Sequence, residues 1–178
     1  MLPLPIESRA VWYGEELLSR NDWLHTLSEC EVGELAQAAA AQLEEITKES
    51  FRLPTLSGRL SHIQDCLETG SGAAMIRGFP IADFSREHAI RAFWGLVQHI
   101  GTPVSQSATG ERIFHVRDER LPDGDPRARG PNTRKRLSFH TDRCDVIAFM
   151  CLKQARSGGE NDIVSSAIRQ PPGSVGYV

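Results

Sequence analysis

Apolar positions in the first hundred residues recur at the spacing of helices. Leu35, Ala39, Leu43 and Ile46 share one face if the Ala-rich run 33–48 is helical. Ser28-Glu29-Cys30-Glu31, just before it, has the form of a capping box. A second helix is predicted over 57–67, where Leu60, Ile63 and Leu67 fall together; Gly70 and Gly72 break the pattern. The run Ala73-Ala74-Met75-Ile76-Arg77-Gly78 is short, apolar and bounded by glycines, which predicts a buried strand. Ser85 then caps a helix reaching Ile100, with Ile90, Phe93, Trp94 and Val97 on its inner face and Gly101 as its stop. Beyond it the period changes. Residues 113–116 predict a strand, 121–131 a loop dense in Pro, Gly and Asp, and 146–152 a near-continuous apolar strand. Ser157-Gly158-Gly159 makes a turn, and 162–166 reads as the next strand, pairing back. Helices first and β-structure after them predict an α+β domain with no internal repeat.

Composition narrows the classes. At 178 residues the chain can build one domain with a real core. A hydrophobic share of 40% and a charged share of 24% are those of a soluble globular protein. A net charge of −3 and a pI near 6.1 argue against a nucleic-acid partner held through phosphates. No apolar run is long enough to cross a bilayer, and Met1-Leu2-Pro3-Leu4-Pro5 does not read as a secretory signal. A cytoplasmic protein is expected, with neither a membrane nor a nucleic acid as partner. Cys30, Cys66, Cys144 and Cys151 form no Cys-x-x-Cys pair, so a zinc knuckle is excluded and buried reduced thiols are expected.

The chemistry gathers at His140-Thr141-Asp142. Residues i and i+2 of an extended segment project to one side, so an imidazole and a carboxylate can converge on one ion. Two histidines and a carboxylate on one face of iron(II) leave the opposite positions for a bidentate oxo-acid and dioxygen. The triplet alone is weak, because six histidines and nine aspartates give it by chance in about three of ten such chains.

Its surroundings are specific. The stretch from Leu137-Ser138-Phe139-His140-Thr141-Asp142 through the apolar run 146–152 to Ser157-Gly158-Gly159-Glu160 closely resembles the TauD/TfdA (taurine dioxygenase-like) family. The resemblance continues upstream through Gly78-Phe79-Pro80, 95–103 and Val116-Arg117-Asp118, and covers roughly residues 50–167. It implies a dioxygenase using iron(II) with 2-oxoglutarate as co-substrate, hydroxylating a small organic substrate as 2-oxoglutarate is decarboxylated. The implied fold is N-terminal helices (1–70) followed by an incomplete double-stranded β-helix (jelly-roll, clavaminate synthase-like) over 71–168, with an irregular tail at 169–178.

His140 and Asp142 match the family's first two iron ligands. Asn161 stands where the family often has a Thr or Ser touching 2-oxoglutarate, and its amide can donate to a carboxylate. An aspartate at 142 disfavours the halide-binding variant of this chemistry. The third ligand that the resemblance implies is a downstream histidine followed by an arginine for 2-oxoglutarate, yet no histidine follows His140, and Arg169 lies outside the family's arginine motif. The chain therefore reads as a truncated oxygenase. The alternatives are an inactive fragment or pseudoenzyme acting by protein association, homo-oligomers included, and a cupin-like metal protein. His99 and His115 are weak substitutes for the missing ligand.

Lesser features carry less. Six arginines and Lys135 over 117–136 can form a lid for an anionic substrate, but interleaved Asp118, Glu119, Asp123 and Asp125 favour a self-neutralised loop. Gln106 and His115 lie where related enzymes approach substrate, and Phe93 and Trp94 are expected in the core.

Overall fold

Residues 7–107, 109–122, 124–125, 127–128 and 130–166 are described by a computed structural model. The chain's opening segment and the predicted tail 169–178 lie outside them. Two compact units are present: Met1–Gly101 with Met150–Val178, and Thr102–Phe149.

The first unit combines helix and strand. Its elements are α1 (Gly14–Ser19), β1 (Leu24–Thr26), α2 (Glu29–Ala38), a 3₁₀ turn (Leu43–Glu45), α3 (Ser57–Thr69), β2 (Met75–Arg77) and α4 (Arg86–Gln98). β1 and β2 pair in parallel, Leu24 against Met75, His25 against Ile76 and Thr26 against Arg77. The predicted strand at 73–78 is therefore present, but its partner β1 was not foreseen. Nor is β2 buried, since Met75 is exposed and Ile76 half-buried.

The capping box forms as its residue types require. Ser28 Oγ accepts from Glu31 N at 3.3 Å, and the Glu31 carboxylate accepts from Ser28 N at 2.7 Å. Arg59 of α3 then clasps the same carboxylate at 2.7 and 3.1 Å. One turn on, Glu34 accepts from Thr55 N (2.8 Å) and Leu56 N (2.9 Å). The Leu56 side chain cannot cap α3, so α2 supplies a carboxylate to that helix's start.

α2 stops at Ala38 rather than running to Lys48. The apolar face survives the break: Leu35, Ala39 and Ile46 are buried and Leu43 half-buried. Turning the chain there frees the Ile46 carbonyl to accept from Trp94 Nε1 (3.3 Å) and Gln98 Nε2 (3.1 Å) of α4. His88 Nε2 donates to Ala36 O (2.9 Å) and His99 Nε2 to Phe51 O (2.7 Å), so three α4 side chains and the C-cap His99 satisfy carbonyls of residues 36–51. Along α4 the buried residues are Ala89, Ala92, Trp94, Gly95 and Leu96, while the predicted Ile90, Phe93 and Val97 are only half-buried. Small residues win the contact because they let α4 approach closely; at Gly95 the Phe51 ring lies against the backbone.

The strands predicted at 113–116, 146–152 and 162–166 do not form among the described residues. A strand's backbone donors and acceptors need a neighbouring strand, and an isolated one is marginal in water. Val146, Ile147 and Phe149 are accordingly exposed, Phe149 at 72%. The Gly158-Gly159 turn is real, both residues holding the positive φ (76° and 82°) that glycine allows. In the second unit Asn132 alone is buried among the described residues, and no apolar side chain is.

Only Cys66 of the four thiols is buried, which corrects the expectation for Cys30, Cys144 and Cys151. Burial also pushes the Cys66 thiol's pKa up. At neutral pH a disulfide-exchange reagent should label three thiols of the native chain quickly and the fourth only as the packing around it opens; four fast labels would contradict this packing.

Candidate functional site

His140 and Asp142 sit in the second unit on exposed backbone between Leu137 and Phe149. The i, i+2 spacing brings them together: His140 Nε2 lies 3.9 Å from Asp142 Oδ2, with both side chains about half exposed. The other ring nitrogen, Nδ1, is 2.8 Å from the Ser138 carbonyl. A carbonyl only accepts, so Nδ1 donates to it, and Nε2 is the ring nitrogen left facing the Asp142 side. Ring nitrogens held this way by an outer partner are the usual state of metal-ligating histidines.

This donor pair fits a first-row divalent ion in kind. Such an ion holds imidazole nitrogen and carboxylate oxygen at about 2.0–2.2 Å, placing neighbouring ligands about 3 Å apart. The observed 3.9 Å is wider than that spacing. The pair is not a complete facial triad. Among the described residues no three of His, Cys, Asp and Glu are grouped to hold a metal. His99 donates its Nε2–H to Phe51 O, and His115 does not complete such a group.

Asn161 is exposed, follows the Gly158-Gly159 turn and belongs to the first unit. Gln106 is exposed, its backbone N–H donating to Glu111 O at 2.6 Å. Among the described residues, three arginines of the arginine-rich loop pair with the loop's own acids. Arg134 pairs with Asp118 at 2.6 Å, Arg127 with Asp125 at 2.7 Å and Arg117 with Glu119 at 3.7 Å. Arg127 holds the Asp125 carboxyl down to about 2, through its side chain first and then its backbone N–H. Asp118 is also lowered, first by the Arg120 backbone N–H and then by Arg134. Arg120 takes a positive φ of 54°, rare for a residue with a side chain, and its N–H donates to Asp118 at 2.9 Å. The Ser138 carbonyl was invisible to sequence reasoning, because every residue carries one.

The family described as "Taurine catabolism dioxygenase TauD, TfdA family" matches residues 33–168. FR-33289 synthase of Streptomyces rubellomurinus is 29% identical over 177 residues, covering 93% of this chain and 51% of the relative. Taurine hydroxylase-like protein SAT17 of Stachybotrys chartarum is 27% identical over 176 residues, covering 90% of this chain and 45% of the relative. The chain spans about half the length of these curated relatives.

Proposed function

The chain belongs to the taurine catabolism dioxygenase TauD, TfdA family, and from that premise we propose that it supplies His140 and Asp142 as ligands to the iron(II) of a 2-oxoglutarate-dependent dioxygenase. The carrying observation is the oriented pair: Nδ1–H tied to the Ser138 carbonyl, and Nε2 beside the Asp142 carboxylate. Iron(II) in such a site supplies the activation of dioxygen that couples 2-oxoglutarate decarboxylation to hydroxylation of a small organic substrate. The chain's own part is narrower. His140 presents its Nε2, Asp142 offsets one positive charge of the ion, and the Ser138 carbonyl fixes the ring that must not rotate. Asn161, an uncharged donor, hydrogen-bonds a 2-oxoglutarate carboxylate in this reading. The stretches 146–152 and 162–166, rich in β-formers, become strands of a jelly-roll domain spanning 71–168, with 1–70 as a helical region ahead of it. Among the described residues no helix is long and apolar enough to cross a membrane.

A second reading, an inactive chain acting by protein association, draws on the absence of a third ligand among the described residues and on exposed Phe114, Val116, Phe139, Phe149, Ile163 and Val164. Anaerobic titration separates the two. Adding iron(II) and 2-oxoglutarate should give saturable binding with a weak charge-transfer absorption, lost in His140→Ala and Asp142→Ala. With oxygen, succinate should form in the unsubstituted chain alone. No saturable iron binding, or binding equal in both variants, would falsify the ligand assignment.

A further inference from the structure

The first unit contains a buried base that the iron chemistry does not use. His25, the middle residue of β1, is 5% exposed, and its buried Nε2 has no hydrogen-bond partner among the described residues. A polar nitrogen in that state is costly, and a charged one far more so. Its surroundings offer little to a proton. From α3, the His62 ring stands edge-on at 5.7 Å between centroids, and Arg59 adds a fixed positive charge. Cys66, also on α3, is a neutral thiol that donates to Asp22 O at 3.2 Å and lies 3.7 Å from His62 Nε2. From β2, the residue opposite is Ile76, with Arg77 beside it.

The carboxylates nearby are already engaged. Asp22, whose charge does reach His25, is held by Arg20 at 2.6 and 3.0 Å and by Arg9 at 3.6 Å. Glu31 is clasped by Arg59.

We propose that His25 makes the β1–α3 junction an acid-sensitive latch, closed while the ring is neutral and opened when it takes up a proton. The direction follows from linkage. Burial first, and then His62 and Arg59, hold the closed-state pKa below the ordinary 6.5. The open state binds the proton at about 6.5, so stability is whole above that pH and falls below it. One extra proton in the open state lowers the closed-to-open ratio by up to roughly tenfold between pH 7.5 and 5.5. The Asp22 and Glu31 carboxylates stay ionised across this window, so they do not supply the change.

Cys66 reports the latch, being buried on the face of α3 that meets β1. Thiol labelling ordinarily slows as pH falls, because the thiolate is the nucleophile. Labelling of Cys66 by an aromatic disulfide that reacts in acid should instead speed up from pH 7.5 to 5.5, in step with a falling urea midpoint. His25→Leu, which cannot be protonated, should remove both responses. The latch is refuted if His25→Leu loses as much stability over this range as the unsubstituted chain. It is also refuted if the His25 ring titrates by NMR at or above 6.5 in the folded protein. That second measurement needs no substitution, so it decides the matter even if the leucine variant does not fold.

Discussion

Glu31→Ala is expected to lower the unfolding free energy by about 3 kcal/mol, the lower end of the range for breaking a buried ion pair. The Glu31 side chain is 5% exposed and accepts from Ser28 N, Ser28 Oγ, Arg59 Nε and Arg59 Nη2. Removing it orphans the α2 cap and leaves the Arg59 guanidinium without its anion. Arg59 is 33% exposed, so water recovers part of that charge, which is why the lower end applies. Glu31→Gln should cost less, because an amide still closes the capping box and only the charge is lost. Acid provides an independent check. Arg59 first, with the Ser28 donors, holds the Glu31 carboxyl down from 4.5 to about 2. A lowered carboxylate contributes stability above pH 4.5 that is lost as pH falls toward 2, here roughly 3 kcal/mol. The urea midpoint should therefore fall less between pH 6 and pH 3 in Glu31→Gln than in the unsubstituted chain, the remainder coming from Asp22, Asp118 and Asp125, which are also held low. Equal losses in both would remove Glu31 as the source.

How legible each feature was depends on how far its cause lies along the chain. Ser28 and Glu31 signal one another at three residues' distance, so the cap was readable; Arg59, 28 residues on, was not. Strand β1 was missed because three residues centred on a histidine show no period, and only pairing with β2 makes them a strand. At 146–152 the composition suits a strand, but the described residues offer no neighbour to pair with and none forms there. α4 was placed nearly to the residue, yet its contact face was read from bulk when close approach selects Ala89, Ala92 and Gly95. At the site, the i, i+2 spacing foretold that His140 and Asp142 meet, whereas the acceptor orienting the ring is a backbone atom with no sequence signature.

The packing of Phe51 on Gly95 makes a sharper prediction, because the two substitutions should not add. Phe51 is 1% exposed, and truncating a ring so enclosed costs about 3–5 kcal/mol. A Cβ on Gly95 would collide with Cγ, Cδ1 and Cδ2 of that ring, so no single edge can tilt away and the whole ring must move. Overpacking of this kind costs about 1–3 kcal/mol. Alanine in a helix interior otherwise gains up to about 1 kcal/mol over glycine, which is too little to reverse the sign. Gly95→Ala alone should therefore destabilise the chain. In a Phe51→Ala background the ring is gone and the helix gain remains, so the same substitution should stabilise, partly filling the space left behind. A double-mutant cycle by urea unfolding reads the difference directly, with a coupling on the order of 2 kcal/mol expected. If Gly95→Ala is neutral or stabilising in the unsubstituted chain, the ring does not rest on Gly95 in solution. The close approach of α4 to the 46–53 segment would then rest on the hydrogen bonds that Trp94, Gln98 and His99 make to the Ile46 and Phe51 carbonyls.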